Sequence, residues 1–304
     1  MVERRPWLDL ATHLLLALSA LSLLLPVWLA FVAATHDLAG VNRMPINWLP
    51  GAHLWENVVA AWERGHFAQR FLTSLGVALG VTIGKIALAM LAAFAIVFFE
   101  WRARMVVFWI IFITLMLPLE VRIVPTYAVA ANALRPFQAI LDVTGLTGLI
   151  EAVAGIRVSL EWQMLNSTVG LVLPLVATAT GTFLYRQFFL TIPEELVEAA
   201  KMDGAGPLRF LRDVLMPLSR TTMAALATIL FVYSWNQYLW PLLVTTEPDR
   251  ATVMVELARM VPRGDSLPEW NIVMAGALLV MLPPLAIVVL MQRWFVRGLV
   301  QTEK

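Results

Sequence analysis

Four histidines, His13, His36, His53 and His66, stand far apart in or beside expected loops, and no HExxH or GxSxG arrangement surrounds any of them. Metal-assisted hydrolysis and a serine nucleophile therefore have no assembled candidates. Cysteine is absent, which removes disulfides, thiolate metal sites and cysteine nucleophiles together. Gly80, Gly84 and Lys85 superficially suggest a phosphate-binding loop. That motif needs four residues between its glycines and a Ser or Thr after the lysine, at a strand-to-helix junction; here three intervene and Ile86 follows, inside an apolar run. Any nucleotide hydrolysis belongs to another polypeptide. What remains is a set of polar groups stranded in apolar sequence: Lys85, Glu120, Arg122, and Asn236 and Gln237 among Trp235, Tyr238 and Trp240. An ionisable group at the centre of a bilayer costs about 2.5–3.5 kcal/mol on insertion scales, so each must face protein, water or a transported solute.

The elements that hold these groups follow from composition. Of 304 residues, 60% are hydrophobic and 14% charged, against about 45–50% and 25% in a soluble domain. A bilayer supplies the missing apolar solvent, and the whole chain, 1–304, reads as a single all-α membrane domain. A helix needs about 20 apolar residues to cross, and six segments qualify: 14–34, 71–99, 105–119, 168–190, 222–245 and 272–292. The third is short, but continues helically toward Asn132 if Glu120 and Arg122 avoid lipid. The first follows Arg4 and Arg5 like a signal peptide, yet it is too long, contains Pro26 and lacks a small-residue cleavage site. It is read as a retained span. Twelve Lys and Arg lie on the side of the termini and nine on the other side, which has much longer loops; both termini are thus expected in the cytoplasm. The net charge of +1 and the absence of a basic stripe speak against nucleic acid.

Gly76, Gly80 and Gly84 recur every four residues on one face of the second span, a strip suited to close packing of another helix within the chain or in a partner. Lys85, beside it, is open to two readings, a structural ion pair or a place on a solute pathway.

The segment 191–221 joins the fourth and fifth spans on the side of the termini. Thr191 and Glu194 have capping-box spacing, and a short helix to Met202 should follow. Gly204 and Gly206 interrupt it, Pro207 begins a second helix, and Pro217 ends that one. Leu196, Ala199 and Ala200 give the first helix a small apolar face, and Phe210, Leu211, Val214 and Leu215 give the second an apolar stripe. Glu198-Ala199-Ala200, Asp203, Gly204, Val214 and Pro217, with three residues from Ala200 to Gly204 and nine from Gly204 to Val214, resemble the EAA loop of ABC importer permeases.

The resemblance extends over nearly the whole chain and is nearest to permeases of the carbohydrate-uptake family, in particular the second-subunit permeases of sn-glycerol-3-phosphate importers. Glu3-x-Arg5-Pro6-Trp7, Phe112-Ile-Thr-Leu-Met-Leu-Pro118, Glu120-Val-Arg-Ile123, Trp235-Asn-Gln-Tyr-Leu-Trp-Pro241 and Phe295-Val-Arg-Gly-Leu-Val300 carry it. It implies half of a translocation pathway in the bacterial inner membrane, with lipid around it. It also implies a second, different permease subunit, two copies of a cytoplasmic ATPase that bind ATP and Mg, and an extracytoplasmic substrate-binding protein. The chain itself would hold no cofactor or metal and would not be an enzyme. Segment 191–221 would be the coupling loop, with Glu198 pairing a basic ATPase residue and Gly204 permitting the turn; Phe210 and Val214 fall at motif positions. Residues 134–166 look like an outer-side insertion. The substrate would be sn-glycerol-3-phosphate or a glycerophosphodiester, with a sugar or oligosaccharide as the alternative. Arg122 then suits either a phosphate contact or a structural pair with Glu120. Trp235, Asn236, Gln237 and Tyr238 lie near the translocation route by resemblance, although aromatic rings at a membrane end also serve as interfacial anchors. An ion-driven secondary transporter would use similar buried groups but should show repeated halves.

Overall fold

The computed structural model describes residues 6–264 and 267–300. Glu3, Arg4, Arg5 and Lys304 lie outside the described residues. Among those described every regular element is helical, the arrangement in which a segment satisfies its own backbone where water is absent. In chain order the α-helices are α1 Pro6–Ala34, α2 Leu38–Val41, α3 Leu54–Arg64, α4 Phe67–Phe98, α5 Arg104–Met116, α6 Leu119–Ala131, α7 Arg135–Val143, α8 Leu146–Ala154, α9 Thr168–Val172, α10 Ala179–Phe189, α11 Glu194–Met202, α12 Pro207–Phe210, α13 Met216–Leu218, α14 Arg220–Trp235, α15 Leu239–Val244, α16 Val253–Met260 and α17 Trp270–Val300. Three helices, Trp7–Ala34, Phe67–Phe98 and Trp270–Trp294, are each long and apolar enough to cross a membrane.

The other expected spans are broken. The third does not run on helically toward Asn132: it stops at Leu117 and resumes at Leu119. Pro118 explains this, since its ring forces the residue before it out of the helical region, and Leu117 is extended at φ −64° and ψ 129°. The fourth bends by 49° between Thr168–Leu175 and Ala179–Phe189. Thr178 caps the second half, its side chain accepting the Gly181 N–H at 3.3 Å. The fifth ends at Trp235 and restarts at Leu239.

The chain divides into two compact units. In the unit of Met1–Arg70 with Val255–Pro283, Ala34, Ala61, Ile272 and Ala275 form the buried centre. Asn57 and Asn271 bond to one another there at 2.8 Å. Arg70, nearly fully buried, reaches Glu256 at 3.4 Å, and Arg259 reaches the same carboxylate oxygen at 3.5 Å. In the unit of Phe71–Met254 with Pro284–Lys304, one cluster gathers Val77, Val81, Leu171, Leu175, Trp240 and Val244. Small residues set the spacing there. A Cβ placed on Gly84 would lie 2.5 Å from Val176 Cγ1, and one on Gly80 3.2 Å from Val172 Cγ2. Gly76 meets nothing within 4 Å, so the expected strip packs this chain at only two of its three positions. Gly181, which periodicity did not single out, brings α10 equally close to Ala89 of α4.

Candidate functional site

The segment after α10 forms a hairpin of short helices. The expected capping box is not made: Thr191 Oγ1 donates back to the Phe188 carbonyl at 2.7 Å, and Pro193 takes the N-cap position without a side-chain bond. Thr191 is thus spent closing α10. The far end of α11 is a Schellman closure. Gly204 N–H donates to the Lys201 carbonyl at 3.0 Å and Ala205 N–H to the Ala200 carbonyl at 2.9 Å, with Gly204 at φ +70°. Pro207 then starts α12, a π turn spans Leu211–Leu215, and α13 ends at Leu218. Beyond Ser219 the chain turns by 77° into α14.

The two arms of this hairpin divide their labour. Phe210, Leu211 and Leu215 are buried with Met90, Phe94, Tyr185 and Phe189, and Val214 packs against the same cluster. Phe98 and Phe210 meet edge to face at 5.4 Å. Phe210 and Val214, expected among the coupling residues, therefore anchor the second arm to its own chain. The first arm exposes Glu198, Ala199 and Asp203, while Ala200 is half-buried beside an apolar cleft of about 290 Å³. Met202 at the tip is 83% exposed. Pro217 is exposed, one residue before the second arm ends.

The second region lies where two helices are interrupted. Pro118 and Glu120, at the α5–α6 break, and Asn236, Gln237, Tyr238 and Leu239, at the α14–α15 break, line one cavity of about 450 Å³ together with Tyr233. Gln237 Nε2 donates to the Tyr233 carbonyl at 3.3 Å. Lys85, only 7% exposed, sits with Nζ 4.2 Å from the centre of the Tyr233 ring. An aromatic face partly compensates a desolvated ammonium, by about 2 kcal/mol or more. No carboxylate pairs with Lys85 among the described residues, and the charge that bears on it is the like-signed Arg122. Arg122 Nε is buried without a hydrogen-bond partner while Glu120 is exposed; the local Glu120–Arg122 pair is not formed among the described residues.

Trp235 is a correction. It is 2% exposed, stacked on Phe231 at 5.9 Å and edge-on to Phe71 at 5.7 Å, so it belongs to the core rather than to the cavity. One helical step of about 100° separates it from Asn236, and that step decides which side of the wall each occupies. Tyr233 was missed for the same reason. It lies four residues before Gln237, whose side chain folds back past the helix end to bond the Tyr233 carbonyl.

Paired interruptions can present polar side chains and free backbone groups at membrane depth wherever they line a cavity. Residues 85–301 match the family described as the binding-protein-dependent transport system inner membrane component. The sn-glycerol-3-phosphate transport system permease proteins UgpE of Escherichia coli (strain K12) and of Shigella flexneri serotype 5b (strain 8401) are each 46% identical over 310 aligned residues, covering 100% of both chains. A chain in the crystal structure of a bacterial ABC transporter involved in the import of the acidic polysaccharide alginate matches with a TM-score of 0.74 at 18% identity, over 97% of this chain and 99% of its own, a likeness of fold. With a family match over most of its length and relatives alike from end to end, the chain belongs to the inner-membrane components of binding-protein-dependent transport systems, multi-pass helical proteins of the inner membrane.

Proposed function

We propose that the chain is one of two different permease subunits of an ATP-driven importer of sn-glycerol-3-phosphate or glycerophosphodiesters, and that it supplies half of the translocation pathway. The 46% full-length identity to permeases of sn-glycerol-3-phosphate systems carries this reading. The cations support it. Lys85, behind the cavity-lining Tyr233, and Arg122, two residues after the cavity-lining Glu120 and with an unfilled donor, have no paired carboxylates among the described residues, so two cations stand against the one carboxylate of the lining, a setting that favours an anionic solute over a neutral one. The six spans are α1, α4, α5 with α6, α9 with α10, α14 with α15, and α17, and both termini are cytoplasmic. Glu198, Ala199, Ala200, Asp203 and Gly204 form the exposed arm of the coupling hairpin, held in place by Phe210, Val214 and the turn after Pro217. That arm docks on one of two cytoplasmic ATPase copies, which bind the ATP and Mg. An extracytoplasmic binding protein delivers the substrate.

The test is uptake into proteoliposomes containing both permeases, the ATPase and the loaded binding protein. ATP-dependent entry of sn-glycerol-3-phosphate is expected, lost in Glu198→Lys through failed coupling. Arg122→Gln should reduce entry strongly without changing binding-protein affinity, and Arg122→Lys should restore part of it, because Lys lacks the bidentate fork. Entry of a neutral oligosaccharide with none of the phosphate ester would replace this substrate class by the sugar reading. Full activity of Arg122→Gln would remove Arg122 from the pathway.

A further inference from the structure

Helices α7 and α8 lie within residues 134–166 and expose a run of large apolar side chains. Along α7, Gln138 and Asp142 share one face, and the structure uses both internally. Gln138 accepts the Leu160 N–H at 2.9 Å and donates to the Val158 carbonyl at 3.2 Å, while Asp142 accepts from Gln138 and from Thr147 Oγ1. Phe137, Ile140 and Val143 occupy the other side and are exposed, Val143 to 89%. In α8 the apolar side chains are exposed too, Leu149 at 62% and Val153 at 81%, beside an exposed Glu151–Arg157 pair at 3.8 Å. Burial of such side chains is favourable in proportion to the apolar area taken from water, so the hairpin leaves a large favourable term unused in water.

The hairpin cannot be a seventh span. The two helices, nine residues each, meet at 77°, so each arm reaches only about 14 Å, half of a hydrocarbon core of about 30 Å. Gly145, at φ +73°, fixes that bend. Its base, however, is tied to the membrane domain. Ala133 N–H donates to the Trp162 carbonyl, Met164 N–H to the Ala130 carbonyl and Asn132 Nδ2 to the Leu160 carbonyl, which locks both ends of the segment to the end of α6. The exposed apolar surface of α6, with Val121 and Val124, thereby leads onto that of the hairpin. Trp162, half-exposed at the junction, is the residue type that collects at the headgroup level.

From these exposed apolar side chains and their continuity with the exposed apolar side of α6, we infer that α7 and α8 lie in the bilayer interface, with Phe137, Ile140, Val143, Leu149 and Val153 immersed among lipid chains and Gln138 bonded back to the protein. The lipid contact anchors the end of α6, and with it the segment that carries Glu120 and Arg122. The inference needs only the membrane location of the chain, whichever solute is carried.

Because this chain has no cysteine, one introduced cysteine gives one label, attached to the chain before it is assembled with its partners. Val143→Cys, Val153→Cys and, as a water-facing control, Arg157→Cys would each carry an environment-sensitive fluorophore in the complete importer reconstituted into vesicles. Lipid-borne doxyl groups should quench positions 143 and 153 several-fold more than aqueous iodide does, with the reverse at 157. Iodide quenching at all three positions would overturn the inference. So would protection of 143 and 153 from both quenchers, which would mean that another protein covers the hairpin. Uptake measured in the same vesicles separates the outcomes: normal phosphate-ester uptake with iodide-accessible labels defeats the interfacial hairpin alone.

Discussion

Two glycines, two residues apart, make the coupling hairpin testable at the level of the backbone. Gly204 sits at φ +70° and Gly206 at φ −68°, and a Cβ at either would meet nothing within 4 Å. Sterics therefore cannot distinguish Gly204→Ala from Gly206→Ala; only the left-handed conformation can. An L-residue in that region costs about 1–2 kcal/mol, which at 1.4 kcal/mol per decade is about a 5–30-fold loss of the closed turn. Gly206 has the extended geometry normal before proline, so Gly206→Ala should be neutral. Two readouts follow. Amide exchange at Gly204 and Ala205, whose N–H groups close α11, should accelerate by that factor in Gly204→Ala. If docking requires the closed turn, the affinity of the membrane complex for its ATPase should fall in the same proportion. Gly204→Asn should lie between the two, since Asn tolerates the left-handed region. Equal behaviour of Gly204→Ala and Gly206→Ala in exchange would refute the backbone argument. Accelerated exchange with unchanged docking would instead remove the hairpin from the ATPase contact.

Other perturbations read packing and charge. Gly84→Ala, which drives a methyl to 2.5 Å from Val176, should destabilise by about 1–3 kcal/mol and be rescued by Val176→Ala, whereas Gly76→Ala should not destabilise; thermal unfolding in detergent checks the pair. Glu256→Ala leaves the buried Arg70 uncompensated and should cost about 3–5 kcal/mol, against about 0–1 kcal/mol for Arg64→Ala at the exposed Arg64–Glu269 pair. His53, in the loop outside the spans, is held above its ordinary pKa chiefly by its hydrogen bond to Glu56 at 2.8 Å. The contact therefore stabilises fully below about pH 6.5 and is lost as pH rises through the raised value. Glu56→Gln should lower the His53 titration midpoint seen by nuclear magnetic resonance, and an unchanged midpoint would contradict the assignment.

Much of the architecture was legible because a bilayer imposes a coarse rule: long apolar runs become helices. The helix to Met202, the turn at Gly204 and the restart at Pro207 were equally readable, since each rests on a local backbone preference that little else opposes. The sequence was less informative where two local bonds compete, as at Thr191, whose hydroxyl had two possible partners and took the carbonyl behind it. It was least informative about helical phase. Trp235 and Asn236 are adjacent letters with opposite fates, and although Pro241 could have marked the break at Asn236–Tyr238, since its ring excludes a helical carbonyl at Gln237, nothing local told that the break meets Glu120 in one cavity. Composition could nominate Lys85 as unusual, but Tyr233, the ring it rests on, lies 148 positions away.

The interruption at Pro118 also shapes how the chain is made. A nascent segment enters the bilayer as it leaves the ribosome, and α5 emerges as only 13 residues, about 20 Å of helix where about 30 Å of hydrocarbon awaits. Glu120 and Arg122 follow immediately. On its own this stretch gains too little from lipid to settle across the membrane, whereas α4, with 32 residues, settles readily. The partner of α5 in the fold is α10, further along the chain, where Phe183 meets Phe112 at 5.9 Å and Arg186 lies over the Phe108 ring at 4.8 Å, so α5 stays without its packing partner until α10 has been made.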